Sequence, residues 1–179
     1  MSSAELTMYA IDPTHSHVGF SIRHLMLTKV RGEFRSVSGA IGIDRDSNLP
    51  ARIEAEIAVD SIMTGEAQRD GHLKSADFFA AQAHPTISFR ATNVEAVGTG
   101  FVVSGDLAIR GTTRSIKLEG ELIGTTTDPW GKSRAGFEAK TRIDRRDFGL
   151  VWNQALETGG VMLGEHVDIE LQIQAVRID

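Results

Sequence analysis

The chain reads as an all-β protein of about eight antiparallel strands, a barrel or a sandwich, with the barrel favoured by two features of the strand faces. Polar and apolar residues alternate along most of its 179 positions, as half-buried strands require. The runs are long and each keeps one wet face, marked by Glu54 and Glu56, Lys117 and Glu119, Asp168 and Glu170. The opposite faces mix phenylalanines with small residues, Gly105, Gly120, Ala91, Ala139 and Ala55, where a tightly filled interior would carry Val, Ile or Leu. From about residue 66 to 83 the alternation stops, and EAQRDGHLKSADFFAAQA predicts a short helical excursion.

In chain order, Met8 to Ile11 is an apolar run ended by Asp12-Pro13-Thr14. Val18, Phe20 and Ile22 then share one face of a strand that breaks between His24 and Lys29. Val30 and Phe34 are even-numbered, whereas Val37, Ile41 and Ile43 are odd. A face of period two cannot change parity without an extra residue, so a bulge or bend is expected near Arg35-Ser36. Asp44 to Pro50 is a turn, and Ile53, Ala55, Ile57 and Val59 make the next face.

In the excursion, Thr64 is placed to cap the first turn with Glu66 near its positive end, and Ser75 to cap a second turn carrying Phe78 and Phe79. Pro85 ends it and biases His84 toward extended geometry. Four alternating runs follow, led by Ile87 and Phe89, by Phe101 and Leu107, by Ile116 and Leu118, and by Phe137 and Ile143. A long connection from Asp144 to Gly164 precedes a last strand from Val167 to Ala175.

Composition narrows the function classes. The length suits one domain, 1–179, and 41% apolar residues suit a globular one. A net charge of −5 argues against non-specific nucleic-acid or anionic-membrane binding. The absence of cysteine removes disulfides, thiol nucleophiles and zinc–thiolate sites. No run approaches the ~18–20 apolar residues of a membrane-spanning helix, so no stable membrane insertion is expected. The opening MSSAELTMYAID has neither a basic segment nor an apolar one of signal-peptide type, and the plain expectation is a cytoplasmic protein.

Few residues bear chemistry. His15 and His17 are spaced to share a strand face as two metal ligands would, but no third ligand stands at fixed spacing. Histidines hydrogen-bonded at a turn are the simpler account. Arg69 and His72 fall on one side of the excursion, with Asp70 spaced to pair with Lys74. They either meet an anionic or polar head group at the barrel mouth or pin the helix to the rim. Arg145, Arg146 and Asp147 read as a solvated turn first and a head-group site second. Trp152, Met162 and Leu163 form an apolar plug or a gate. No nucleophile is accompanied by a base, so no catalytic residue is assigned. Small residues beside Phe20, Phe89, Phe101 and Phe137 fit a cavity with aromatic walls as well as a filled barrel.

Several motifs resemble the YceI-like family. The order Tyr9-x-Ile11-Asp12-x-x-His15-Ser16-x-Val18-x-Phe20-x-x-x-His24-Leu25 is similar to its opening, and Gly32-x-Phe34 and Thr64 follow in place. Arg69-Asp70-x-His72-Leu73-x-Ser75-x-Asp77-Phe78-Phe79 continues the resemblance, with His84-Pro85-x-Ile87-x-Phe89 where that family usually shows Tyr-Pro. Gly105-x-Leu107-x-Ile109-x-Gly111, Trp130-Gly131 and Arg146-x-Phe148-Gly149 extend it over nearly the whole chain. The resemblance implies a lipocalin-like barrel whose long hydrophobic pocket holds an isoprenoid or similar amphiphile, in a family whose members are often exported. It favours a cavity over a filled barrel.

The expected function is therefore binding of a polyisoprenoid, an isoprenoid quinone or a similar lipid, for carriage, storage or sequestration. Phe20, Ile22, Phe34, Phe78, Phe79, Phe89, Phe101, Leu107, Leu118, Phe137 and Trp152 are expected on the apolar wall. Arg69, His72 and Arg146 are expected near the head group. No metal and no cofactor other than the lipid is expected, and a homodimer stays open. The rival reading is an enzyme for a small hydrophobic substrate using His15, His17 or His72, with or without a metal.

Overall fold

The structure is a computed structural model that describes residues 4–178, so both ends of the expected 1–179 domain and the first residues of its opening segment lie outside the described residues. Eleven strand segments make one sheet: β1 Leu6–Ile11, β2 His17–His24, β3 Thr28–Phe34, β4 Val37–Asp44, β5 Pro50–Ala58, β6 Ile62–Met63, β7 Thr86–Val97, β8 Gly100–Ile109, β9 Thr112–Thr127, β10 Ser133–Asp144 and β11 Leu163–Arg177. They follow only eight paths, because β1 with β2, β3 with β4, and β5 with β6 are single strands interrupted once each. Every path pairs antiparallel with its neighbour in sequence. The last, β11, closes the ring by pairing with β2 through Leu163–Gln172 and with β1 through Ala175–Arg177. The result is a closed eight-stranded up-and-down barrel, its ring of pairings interrupted only between β6 and β7.

The three interruptions lie side by side. Pro13–His15 forms a 3-10 turn capped by Asp12, Arg35-Ser36 separates β3 from β4, and Val59–Ser61 forms a second 3-10 turn. The parity change between Phe34 and Val37 marks the middle one. Backbone bonds stitch the seam: Arg35 N–H donates to the Ser61 carbonyl at 3.2 Å and Ala58 N–H to the Ser36 carbonyl at 3.0 Å. The Ser16 hydroxyl bridges the remaining gap, donating to the Gln174 carbonyl and accepting from Gln174 N–H at 3.1 Å. Buried ladder groups that lose a strand partner thus regain one from a side chain.

Below the seam the third path runs out, since β6 is two residues long and pairs only with β3. The excursion fills the space between β6 and β7. Its helix α1, Ala67–Lys74, is capped by Glu66, whose carboxylate accepts from Gln68 N–H at 3.0 Å and Arg69 N–H at 2.7 Å. That corrects the expected cap: Thr64 instead donates its own N–H to Asp70 at 2.9 Å. Ser75 closes α1 and its hydroxyl accepts from Asp77 N–H at 3.3 Å, starting the turn that buries Phe78 and Ala81. The helix itself buries no residue, and eight residues are too few to hold a helix in water alone. Its anchors are the Glu66 cap, the Thr64–Asp70 bonds and the burial of Phe78, worth about 1.5–3 kcal/mol.

Candidate functional site

Inside the barrel lies a cavity of about 350 Å³ that runs from Ile11, Pro50 and Phe101 near one end to α1 and the Leu150–Leu163 connection at the other. Its size is that of a small-molecule site. The alternation noted above builds it: inward residues of every path meet there, and outward residues stay wet. All eleven side chains expected on the apolar wall line it. Phe20 and Phe34 stand 5.6 Å apart between ring centres, and Phe79 meets Phe34 edge-on at 5.8 Å.

The inward glycines do not leave the space. A Cβ on Gly32 would come within 2.4 Å of Phe20, one on Gly105 within 2.4 Å of Phe89, and one on Gly120 within 2.8 Å of Phe101. Each glycine seats a phenyl ring against the barrel wall. These glycines let the rings lie flat rather than open space themselves, whereas Ala55 and Ala139 do line the cavity.

Polar groups enter the lining mainly at the end that α1 covers, where Thr64, Arg69, His72, His24 and Arg145 meet. Arg69 donates from Nε to Thr64 Oγ1 at 2.7 Å and from Nη2 to the Thr64 carbonyl at 2.8 Å. Thr64 in turn donates its hydroxyl to Asp70 Oδ1 at 2.5 Å. Two of the guanidinium nitrogens therefore fasten the helix to β6, and Nη1 has no protein partner among the described residues. The expected Asp70–Lys74 pair is absent because Asp70 turns toward Thr64. His72 lies edge-on to Phe78 at 5.0 Å and to Trp152 at 4.8 Å, with its Nε2 held 2.8 Å from Asp77 Oδ2. The ring so links the excursion to the long connection across the barrel end.

Arg146 is not there. It is half-exposed, pairs with Asp144 at 2.7 Å and Glu165 at 3.1 Å, and does not line the cavity. Its guanidinium holds the Asp144 carboxyl down at about 2. The neighbour that does reach the cavity is Arg145, at 4% exposure. It donates to the carbonyls of Gly164 at 2.8 Å, Leu150 at 2.6 Å and Trp152 at 2.9 Å. Burial pushes its pKa down from the usual arginine value, against the pull of Asp144 and Glu165. No carboxylate lies within ion-pair distance among the described residues, so the three carbonyl dipoles carry the counter-charge and tie down both ends of the connection. The signal for Arg145 was parity: Ala135, Phe137, Ala139, Thr141 and Ile143 are inward, and 145 continues that series.

The remaining histidines sit elsewhere. His15 lies in the 3-10 turn, 2.9 Å from Asp12, and His17 stands on the outer face, 3.0 Å from Glu33. They do not share a strand face, because the turn at Pro13–His15 interrupts it. Among the described residues no three His, Cys, Asp or Glu side chains converge as a metal site. No described helix is long and apolar enough to cross a membrane.

With this geometry in hand, comparison with known proteins is decisive. The YceI-like domain matches residues 9–175. The chain belongs to the YceI-like family. Protein YceI of Escherichia coli O17:K52:H18 is 33% identical over 177 residues, covering 98% of this chain and 90% of that one. The YceI protein of Campylobacter jejuni superposes with a TM-score of 0.76 at 26% identity, over 88% of this chain and 90% of its own. A polyisoprenoid binding domain from Saccharophagus degradans shares the fold, with a TM-score of 0.67 at 16% identity over 97% of this chain and 100% of that one. Both solved structures share this chain's antiparallel barrel fold.

Proposed function

We propose that this YceI-like protein binds a long-chain amphiphile, a polyisoprenoid or isoprenoid quinone, with its tail in the barrel and its head at the end covered by α1. The observation that carries the reading is the one-sided polarity of the cavity: rings and aliphatic side chains along its length, and Thr64, Arg69, His72 and Arg145 gathered at the helical end. An apolar tail gains roughly 0.8 kcal/mol for each methylene removed from water, so tight binding needs no catalytic group. The polyisoprenoid-binding domain of Saccharophagus degradans, similar in fold, supports the same ligand class. One apolar cavity running through the barrel favours carriage or sequestration of one lipid at a time.

The test is organic extraction of the protein purified from its host without detergent, followed by mass spectrometry. One long-chain isoprenoid or quinone per protein is expected. Protein that yields no lipid and takes up none from detergent micelles ends the proposal.

A further inference from the structure

The hairpin tip between β2 and β3 carries three consecutive apolar residues, Leu25, Met26 and Leu27, at 38%, 66% and 76% exposure. Nothing in the barrel calls for them. The turn is closed by Leu27 N–H donating to the His24 carbonyl at 3.0 Å, and it holds Leu25 at φ 53 and Met26 at φ 59. That left-handed pair is the geometry Asn-Gly ordinarily supplies, and long side chains there work against the fold. A local conflict of this kind is expected where a surface serves something other than stability.

The tip is joined to the cavity. Leu25 N–H donates to the Met162 carbonyl at 2.7 Å, and Met162, Trp152 and His24 line the cavity end. Val151, between two lining residues, adds a further apolar side chain at 64% exposure. Directly behind the tip, Arg23 faces Lys29 across the β2–β3 ladder. Like charges directly opposite are unfavourable in a sheet. Lys29 reaches Asp168 only at 3.9 Å, and that carboxylate already holds Arg142 at 2.7 Å. Arg23 has no carboxylate within ion-pair distance among the described residues. Glu165, on the same barrel end, is engaged by Arg146.

We propose that this tip docks the protein on an anionic lipid bilayer, with Leu25, Met26 and Leu27 entering the interface and Arg23 and Lys29 meeting the head groups. An apolar wedge with a basic collar is the chemistry that holds an element in the membrane interface. Docking by this tip brings the cavity end, not the barrel wall, against the bilayer from which an amphiphile would be drawn. The inference goes beyond the binding reading and is scored on lipid-free protein, so the two fail separately.

The experiment is flotation with vesicles of equal parts phosphatidylcholine and phosphatidylglycerol, against vesicles of phosphatidylcholine alone. Leu25→Asn with Met26→Gly and Leu27→Ser should lower the partition coefficient about tenfold or more. The same triple variant should melt no lower than the parent, because Asn-Gly relieves the turn. Arg23→Gln with Lys29→Gln should lower binding to the anionic vesicles only. Trp130→Ser is the control, since that 81% exposed side chain sits on the turn at the opposite barrel end. The proposal is overturned by parent protein that does not float, by a triple variant that floats like the parent, or by loss of binding in Trp130→Ser with the tip intact. It is equally overturned if the triple variant abolishes a dimer and leaves flotation unchanged.

Discussion

Phe89 lies across Gly105: a Cβ on that glycine would stand 2.4 Å from the ring's Cζ and 2.7 Å from the Arg90 carbonyl. Gly105 has ordinary strand geometry, so contact alone forbids a side chain there. Gly105→Ala should therefore push Phe89 into the cavity and cost about 1–3 kcal/mol in chemical denaturation, the range for overpacking. Lipid affinity should fall with it. An unchanged denaturation midpoint would show that Phe89 has another rotamer available at no cost.

Gly71 is the opposite case. It sits in the exposed middle of α1, and a Cβ there meets nothing within 4 Å. Gly71→Ala should raise stability by about 0.5–1 kcal/mol through helix propensity alone. A thermal midpoint that falls would mean that the added Cβ meets a neighbour and that position 71 is not open as described.

Arg145→Met should destabilise the protein by about 3 kcal/mol or more, since three buried carbonyls lose their donor. Arg145→Lys should recover part of the loss, because one ammonium cannot reach all three. Faster amide exchange at Leu150–Leu163 in both variants would locate the damage. Exchange that speeds uniformly across the barrel would contradict the assignment.

Arg69→Ala tests the head group. With Nη1 as its available donor, the change should weaken a pyrophosphate-headed prenyl ligand by about 1.5–3 kcal/mol, and a quinone with the same tail much less. Phe78→Ala should weaken both alike. Equal losses for the two heads in Arg69→Ala would mean that the bonds to Thr64 are the whole of its role.

The acid limit of stability should be set largely at the barrel seam. Arg134 holds Asp128 at 2.8 Å and Asp12 at 2.8 Å, joining the β9–β10 turn to the β1–β2 break. Burial alone would raise the Asp12 carboxyl, but bonds from His15, Thr14 and Arg134 outweigh it, and the pKa falls below the ordinary 3.8. Asp128 is lowered as well, chiefly by Arg134. Groups depressed in the folded state contribute stability that is present above their unfolded pKa and is lost as pH falls through the folded one. Stability should hold above about pH 5 and decline steadily below about pH 4. Arg134→Gln should flatten that decline. An acid slope unchanged in Arg134→Gln would place the titrating groups elsewhere.

Period-two alternation along the chain determined that this protein is built of about eight half-buried strands, and the pairing of β11 with β1 and β2 decided that they close into a barrel. The alternation also determined which side chains face inward, because Phe20, Phe89, Phe101 and Phe137 had only one parity to choose. The parity slip between Phe34 and Val37 even located one of the three aligned breaks. Other features depended on which of several neighbouring polar groups became partners. Thr64 had the right chemistry to cap a helix, but Asp70 and Arg69 claim its donors and hydroxyl, and Glu66 takes the cap. Of two adjacent arginines, 146 meets Asp144 and Glu165 in solvent while 145 turns inward to the carbonyls of Leu150, Trp152 and Gly164. Local propensity cannot tell these apart, since several polar groups within seven residues compete for each partner and the folded path of the excursion and of the long connection decides among them. The cavity was undecided because whether a glycine leaves a hole or seats a ring depends on the strand beside it, and the β7–β8 register is what sets Phe89 on Gly105.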